Sequence, residues 1–353
     1  MNMDKQHATL LILLDLSAAF DTVDHQILLN RLRTEFGVSG KVLDWFASYL
    51  SNRSQKVTVD GVLSDRFGID FGVPQGSCLG PLIFVIYSSK LFNIVSRHLP
   101  NVHAYADDTQ LYLAFKPGNY ANETAAVSSI QFCIRDLQNW MLMDKLKLNP
   151  EKTEFLILGT RPQLEKVITS HLVVGESRIC PSTKVKNLGS WFDPNLDMIS
   201  HINNICSSSF YYLYNIRRIR KYLSHQSAIS LIHAFITSKL DYCNSLLYGL
   251  PTIHINKLQR VQNAAARLVT NTPRICHITP ILEDLHWLPI KYRIEFKIVL
   301  LTFKCLYGLA PQYLADLIAV APQSRYNLRS RNATLLVSAK ARCLPTLGDR
   351  AFQ

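Results

Sequence analysis

Two adjacent aspartates in a tight turn constrain the fold more than any other feature of this sequence. Asp107 and Asp108 lie between two strand-like runs, Val102–Tyr105 and Thr109–Phe115. Two like charges in contact make each other costly to ionise unless a cation lies between them, so the pair is suited to a metal ion. An Asp-Asp pair is also common in ordinary solvated turns, and alone it does not decide between the two.

A third carboxylate favours the metal interpretation. Leu10–Leu14 is a short continuous apolar run that predicts a buried strand, and Asp15 ends it. If this strand and the hairpin with Asp107 and Asp108 are neighbours in one sheet, the three carboxylates converge at one edge. Hard oxygen ligands in that number suit Mg²⁺, and two such ions could hold both the attacking hydroxyl and the leaving phosphate of a displacement reaction.

A loop rich in glycine, Gly72–Gly80, precedes a helix that we expect to begin near Pro81 and to run to about His98. Such a loop can bring its backbone close to a sugar or a base and leave amides free for an anion. A structural turn with a helix cap explains the loop nearly as well.

Strands and helices alternate up to about residue 160, which predicts a sheet covered on one side by helices. In this part, Asp21 and Thr22 are N-cap residues for a helix predicted over Val23–Phe36. Beyond it, helices dominate, and we expect them at roughly 200–222, 225–248, 254–270 and 290–307.

Basic side chains are concentrated in the second half of the chain, where helices are expected to dominate. Residues 1–160 contain 14 basic and 16 acidic side chains, whereas the remainder contains 24 basic and 10 acidic ones. The whole surplus of +12 therefore lies in the second half. This distribution indicates a carboxylate site and a separate polyanion-binding surface, although a soluble protein with a basic face would show the same imbalance.

Several classes of protein are excluded. No apolar run approaches the roughly 18 residues that cross a bilayer, so we expect no membrane partner, and the amino terminus does not resemble a signal peptide. The eight cysteines are spread singly without a CxxC pair, which excludes the usual zinc ribbons and knuckles. Their spacing indicates reduced thiols and an intracellular location, either nuclear or cytoplasmic.

Five motifs resemble the palm of reverse transcriptases in order and spacing. They are Leu14–Asp21, Gly72–Pro81, Tyr105–Asp108, Leu148–Phe155 and Asn187–Gly189. The amino-acid sequences of these motifs most resemble those of non-LTR (LINE-type) retrotransposons of the jockey-like group. The region downstream of the palm in that group is also similar to Leu240–Asn244, Leu258–Asn263 and Leu285–Pro289. The resemblance covers essentially the whole chain.

The resemblance implies a role for each matching residue. It implies catalytic roles for Asp15, Asp107, Asp108 and Lys152, and two Mg²⁺ ions held by Asp15, the Leu16 carbonyl, Asp107 and Asp108. It implies nucleotide contacts by Phe20, Gln75 and Gly76. It also implies a primer grip at Asn187, Leu188 and Gly189. The aromatic ring of Phe20 would exclude a 2′-hydroxyl, which favours DNA synthesis. Lys152 would protonate the departing pyrophosphate, although a lysine near a strand start is also an ordinary surface residue.

The basic half fits the same family. A cluster near one helix end, which consists of Arg217, Arg218, Arg220 and Lys221, could bind the phosphates of a template–primer duplex, or it could be a solvated helix face. The partners implied are an RNA template, a DNA primer and a deoxynucleoside triphosphate.

The resemblance predicts an α/β palm with an antiparallel sheet at about 1–195, a mainly helical thumb and carboxyl-terminal region at 196–320, and a loosely structured, truncated tail at 321–353. Because few residues precede Leu14, we expect the fingers and the amino-terminal endonuclease of the family to be missing from this chain. The function expected is an RNA-directed DNA polymerase fragment. The alternative is a catalytically inactive relic that binds nucleic acid, and an RNA maturase or a telomerase-like enzyme is a more distant one.

Overall fold

The computed structural model describes residues 6–74, 76–318 and 336. The chain divides into two compact units, and the boundary between them in the sequence lies between Leu188 and Gly189. We call them the first unit and the helical unit. The domain limits expected from the sequence, 1–195 and 196–320, stay a prediction. The expected tail, 321–353, lies outside the described residues except for Leu336.

The first unit mixes strands and helices. Its strands are β1 (Ala8–Leu14), β2 (Ser54–Gln55), β3 (Thr58–Val59), β4 (Val62–Leu63), β5 (Phe67–Gly68), β6 (Val102–Tyr105), β7 (Asp108–Phe115), β8 (Glu154–Leu158), β9 (Leu172–Val174), β10 (Ser177–Ile179) and β11 (Val185–Asn187). Its helices are α1 (His25–Thr34), α2 (Gly40–Leu50), α3 (Gly80–Tyr87), α4 (Lys90–Val95), α5 (Tyr120–Met143) and α6 (Arg161–Leu164).

The main sheet has four antiparallel strands in the order β6-β7-β1-β8. Strand β1 is central, and its alternating burial shows which face carries the core: Leu10 and Ile12 are fully buried, whereas Leu11 and Leu13 are half-buried. The buried face packs with helix side chains, including Ile130 of α5, into one hydrophobic core. This arrangement confirms the predicted mixed fold with an antiparallel sheet.

Two helix boundaries differ from the sequence-based expectation. Helix α1 begins at His25, because the side chain of Asp24 accepts hydrogen bonds from the backbone amides of Gln26 and Ile27 and so acts as the N-cap. The prediction that Asp21 and Thr22 would cap it was wrong.

The helix expected from Pro81 to about His98 is two helices, α3 and α4. The chain leaves helical geometry after Tyr87, whose carbonyl accepts a hydrogen bond from the guanidinium of Arg31. The expected length was therefore wrong, and the break has a tertiary cause.

The helical unit begins with β12 (Ser190–Phe192). Its helices are α7 (Ile199–Ile219), α8 (His225–Ile232), α9 (Ser238–Asp241), α10 (Thr252–Thr270), α11 (Ile278–Asp284), α12 (Ile290–Leu306) and α13 (Gln312–Ala315). A π-helical turn at His233–Thr237 and a 3₁₀ turn at Asn244–Leu247 interrupt the single helix that was expected over 225–248.

Helices α7 and α10 pack against each other through a separate hydrophobic core. Leu258 and Val261 of α10 are fully buried in it, and Ile202 of α7 lies in the same cluster. Within the part of the chain that the structure describes, no helix is both long enough and apolar enough to cross a bilayer.

Candidate active site

Strand register brings the predicted carboxylates to one edge of the main sheet. The last pair of β1 with β7 is Leu14 with Thr109, so the next residues along each strand, Asp15 and Asp108, face each other. Antiparallel partners point to the same face of a sheet, and here it is the face opposite the buried Leu14.

A two-residue turn positions the second aspartate. Tyr105 and Asp108 form the closing pair of β6 with β7, so Ala106 and Asp107 make the turn. Ala106 has φ +53°, a left-handed conformation that a hairpin turn of this length requires. Asp107 therefore lies at the tip, beside the Asp108 that faces Asp15.

The electrostatics of this edge show that the carboxylates act on one another. Burial raises the pKa of Asp108, and the charges of Asp107 and Asp15 raise it further. One oxygen of Asp15, Oδ2, is buried and has no hydrogen-bond partner among the described residues. Lys152 Nζ lies 4.0 Å from it. The edge thus concentrates negative charge that the protein neutralises only in part.

Backbone hydrogen bonds connect the turn that carries Lys152 to the segment around Asp15. The backbone amide of Asn149 donates to the carbonyl of Asp15 at 2.9 Å, and the amide of Ser17 donates to the carbonyl of Lys147 at 2.8 Å. Between these bonds, Leu16 and Leu148 form an isolated antiparallel bridge. This pairing fixes where Lys152 leaves the backbone, although its side chain is 71% exposed.

A cavity of about 100 Å³ lies beside Asp15 and Asp108. It is lined by Leu13, Leu14, Asp15, Asp108, Thr109, Gln110, Lys152, Glu154, Lys186, Asn187 and Leu188. Of the predicted primer-grip residues, Asn187 is held here, because Gln110 Nε2 donates to Asn187 Oδ1 at 2.9 Å.

Sequence reasoning missed four polar residues among those that line this cavity: Thr109, Gln110, Glu154 and Lys186. Burial raises the pKa of Glu154, although a hydrogen bond from the backbone of Lys186 works in the opposite direction. Their signal was the alternation of the strands: Gln110 follows Asp108 by two residues, and Glu154 is paired with Leu13 across the sheet.

The remaining primer-grip residues lie in a tight turn after β11. Leu188 has φ +43° and Gly189 has φ +85°. A Cβ atom on Gly189 would come within 3.2 Å of the ring of Tyr242, so this position admits little more than glycine.

The glycine-rich loop is fixed to the segment that follows Asp15. The amide of Gly72 donates to the carbonyl of Val23 at 2.7 Å, and the amide of Val73 donates to the carbonyl of Phe20 at 2.9 Å. Gly72 has φ +86°, and a Cβ atom there would lie 2.9 Å from the carbonyl oxygen of Asp21. Only glycine therefore permits this close approach.

The predicted nucleotide-binding residues lie around this junction. Phe20 is half-buried, and its ring centroid is 5.0 Å from that of Phe84. Gly76 is exposed with φ +84° and nothing within 4 Å of a Cβ position. Gln75 lies outside the described residues.

The predicted phosphate-binding cluster divides into two kinds of residue. Arg217, Arg218 and Lys221 are exposed. Arg220 instead donates to three backbone carbonyls, those of Leu223, Leu268 and Val269, so its guanidinium ties the end of α7 to α10. Phosphate binding by the cluster stays a prediction, and Arg220 also has this structural role.

The carboxylates at the sheet edge are ligand types suited to a hard divalent cation, although among the described residues they do not form a metal-binding group. Asp15, Asp107 and Asp108 offer carboxylate oxygens, one of which is buried without a partner, and their mutual repulsion favours a bound cation. Among the described residues, no group of three His, Cys, Asp or Glu side chains lies close enough together to hold a metal ion. The role of these three residues as ligands therefore stays a prediction.

Comparison with known proteins shows how far the similarity extends. The chain is 26% identical over 283 residues to the RNA-directed DNA polymerase from mobile element jockey of Drosophila melanogaster, which covers 77% of this chain and 29% of that protein. It is 24% identical over 297 residues to the probable RNA-directed DNA polymerase from transposon BS of the same organism, covering 80% and 31%. The chain thus spans less than a third of the length of these relatives.

A solved structure of apo telomerase from Candida tropicalis is similar with a TM-score of 0.37 and 14% identity, covering 79% of this chain and 53% of that one. At that level the likeness carries no argument.

A family model decides the assignment. The model described as reverse transcriptase (RNA-dependent DNA polymerase) matches residues 1–192, which is more than half of the chain and includes β1, the hairpin of β6 and β7, and the turn with Lys152. The chain belongs to the reverse transcriptase family.

Proposed function

We propose that this chain carries the nucleotidyl-transfer site of an RNA-directed DNA polymerase. The observation that supports it most is the register of β1 and β7, which sets Asp15 against Asp108 at the edge where the turn presents Asp107. The reaction is attack of a primer 3′-hydroxyl on the α-phosphate of a deoxynucleoside triphosphate, directed by an RNA template.

In this proposal the carboxylates would hold the divalent cations on which the reaction depends. Asp15 and Asp107 would be ligands, Asp108 would support them, and the Leu16 carbonyl would contribute on the nucleotide side. When bound, two Mg²⁺ ions supply neutralisation of the phosphate charge and a more acidic 3′-hydroxyl. Burial, and then the charges of Asp107 and Asp15, raise the pKa of Asp108, and Oδ2 of Asp15 is buried without a hydrogen-bond partner. Both observations support this assignment, because a bound cation would offset the charge repulsion and give Oδ2 a partner.

Lys152 is the proton donor to the departing pyrophosphate. Its Nζ lies 4.0 Å from Asp15 Oδ2, and its backbone is fixed by the turn that pairs with Leu16. An ammonium group so placed can neutralise a phosphate oxygen and give up a proton as the bond to the α-phosphate breaks. Because its side chain is 71% exposed, it is free to approach a bound triphosphate.

Phe20 selects the sugar, and Gln75 and Gly76, which match the family's motif, contribute nucleotide contacts. The ring of Phe20 packs against that of Phe84, which restricts its movement away from a 2′-hydroxyl. Asn187, Leu188 and Gly189 hold the primer end, and the hydrogen bond from Gln110 to Asn187 connects this grip with the strand of Asp108. The helical unit contributes contacts to the nucleic-acid backbone through Arg217, Arg218, Arg220 and Lys221.

Primer extension tests the proposal. The chain is incubated with an RNA template annealed to a DNA primer and with deoxynucleoside triphosphates, with Mg²⁺ or with excess chelator. We expect extension with Mg²⁺, none with chelator, and little with ribonucleoside triphosphates. Asp107→Asn should abolish extension, whereas Asp44→Asn, which removes an exposed acid of α2, should leave it unchanged.

Two outcomes would contradict the proposal. If the chain binds the template–primer duplex but does not extend it, before or after mutation, it is a nucleic-acid-binding relic of such an element. If Asp107→Asn extends as well as the unaltered chain, the acid edge is not the catalytic site.

A further inference from the structure

A large cavity in the helical unit is lined by six cationic side chains. It has a volume of about 870 Å³ and lies along α7, α10 and the segment that follows α10. Among the described residues its lining contains no acidic side chain and consists of Phe210, Arg217, Arg220, Lys221, Arg260, Asn263, Ala264, Arg267, Leu268, Asn271, Thr272 and Arg274. Like charges that face one space repel one another, so the cavity favours an anion.

The protein does not neutralise these cations itself. Within the part of the chain that the structure describes, none of the six takes part in an ion pair. Arg267 donates from Nη2 to the carbonyl of Cys276 at 3.2 Å, but its Nε is buried without a partner. Arg220 donates to three backbone carbonyls, which fixes its guanidinium in the lining, and these neutral partners do not cancel its charge. The other cations remain available to a ligand.

Exposed aromatic side chains continue the same face of α7. Phe210, Tyr214 and Arg217 recur at helical spacing, so they form one stripe along α7. Lys221 lies in the 3₁₀ turn Arg220–Tyr222 that follows the helix. The rings of Phe210 and Tyr214 are 46% and 62% exposed, respectively. The guanidinium of Arg218 lies 6.0 Å from the centre of the Tyr214 ring. Aromatic rings interleaved with cations are what unpaired nucleic acid needs, because bases stack on the rings while cations bind the phosphates.

We propose that this cavity and stripe bind an unpaired, single-stranded segment of nucleic acid. A duplex keeps its bases stacked inside and offers phosphates alone, so it would leave Phe210 and Tyr214 without a partner. The inference rests on the proposed function in one respect: nucleic acid is the substrate class of the proposed reaction. The helical unit is inferred to prefer unpaired strands over duplexes, and this preference can be measured without catalysis.

The expected change in binding follows from the number of phosphate contacts or base stacks that each variant removes. For single strands, the logarithm of the binding constant falls with the logarithm of salt concentration with a slope of about −0.7 per phosphate contact. Removing two cations, in Arg260→Gln with Arg267→Gln, should reduce the slope by about 1.4. Replacing Phe210 with leucine removes one base stack, which should weaken binding by roughly 5- to 150-fold.

The experiment measures fluorescence anisotropy of labelled oligonucleotides with the full chain over a series of salt concentrations. One sequence is presented as single-stranded RNA, as single-stranded DNA and as a blunt duplex. We expect single strands to bind about tenfold more tightly than the duplex or better, a difference of about 1.4 kcal/mol. The variants should lose this preference, whereas Lys297→Gln, which removes an exposed charge of α12, should not.

Equal or tighter binding of the duplex would overturn the inference, and so would unchanged affinity in the Arg260→Gln, Arg267→Gln variant. Because Arg260 is exposed, circular dichroism should confirm that its change leaves the fold intact. Single-strand preference without primer extension contradicts the proposed polymerase alone, and extension without the preference contradicts this inference alone.

Discussion

Replacing Arg31 with methionine is expected to destabilise the first unit by about 3–5 kcal/mol, because it breaks a buried ion pair. Arg31 lies in α1, and its side chain is 2% exposed. Its Nη2 is 2.5 Å from Asp144 Oδ2, and its Nη1 donates to the carbonyl of Tyr87. The side chain therefore joins α1 to the ends of α3 and α5.

The expected magnitude comes from what the substitution leaves behind. Asp144 would remain as a charge whose side chain is 11% exposed, without its cation. The hydroxyl of Tyr87 donates to the Asp144 carbonyl, and burial raises the pKa of Tyr87 to about 12, so this tyrosine stays neutral and cannot compensate. Methionine fills part of the volume but donates no hydrogen bond.

Urea titration with hydrogen exchange measures the loss. Because the chain has two units, the exchange of β1 amides is followed, since those amides report on the first unit alone. Arg33→Met is the matched control: it removes an exposed arginine from the same helix and should change stability by less than about 0.5 kcal/mol.

A double substitution separates charge from packing. In Arg31→Met with Asp144→Leu, no uncompensated charge remains, so most of the lost stability should return. The reasoning is refuted if Arg31→Met is as stable as Arg33→Met, or if the double variant is no more stable than Arg31→Met alone.

Two further perturbations test the candidate site itself. Burial, and then the charges of Asp107 and Asp15, raise the pKa of Asp108 in the folded protein. The protonated carboxyl therefore stabilises the fold fully at pH values below the ordinary pKa of an aspartate, and this stabilisation is lost as the pH rises through the raised pKa. Asp108→Asn should therefore raise the melting temperature at neutral pH, and thermal melts at decreasing pH should show the difference vanish. Gly72→Ala should cost about 1–3 kcal/mol, measured by chemical denaturation. It should cost more than Gly76→Ala, since both have positive φ but only at Gly72 would a Cβ meet backbone, at 2.9 Å, and equal losses would contradict the role given to that contact.

The fold could be predicted where the pattern is local. The run of Leu10–Leu14 with its closing Asp15 identified the central strand, and two apolar runs around the aspartates identified the hairpin. The start of α1 could not be predicted, because Asp21, Thr22 and Asp24 are all N-cap residue types. The choice depends on Thr22, whose hydroxyl lies within hydrogen-bond distance of the carbonyls of Ala18 and Ala19, which leaves Asp24 to cap the helix.

The break between α3 and α4 shows a second limit. Gly80–Tyr87 is a continuous good helix, and no proline or glycine ends it. The carbonyl of Tyr87 accepts instead from Arg31, which is 56 residues away in the sequence. A hydrogen bond between such distant residues leaves no local pattern, so the sequence predicted one long helix.

The aspartates of the candidate site could be predicted from the sequence, but the other residues that line its cavity could not. Asp15, Asp107 and Asp108 each end or interrupt an apolar strand, which makes them visible in the sequence. Glu154 and Lys186 enter the cavity only because β8 pairs with β1 and β11 contacts β8, and the neighbours of a strand are a tertiary property.

Each unit carries the same sign of an incomplete site. In the first unit, Asp15 Oδ2 is buried without a partner where negative charges converge; in the helical unit, Arg267 Nε is buried without a partner where positive charges converge. Buried polar groups are usually paired, because leaving one unpaired costs about 1–3 kcal/mol. Buried atoms without a partner also occur elsewhere among the described residues, for example Trp140 Nε1 and Ser209 Oγ, so what sets Asp15 and Arg267 apart is the like charge around them. The two proposals give both places the same kind of ligand: nucleic acid, whose phosphates would bind the cations of the helical unit and whose reacting end would require a divalent cation at the acid edge.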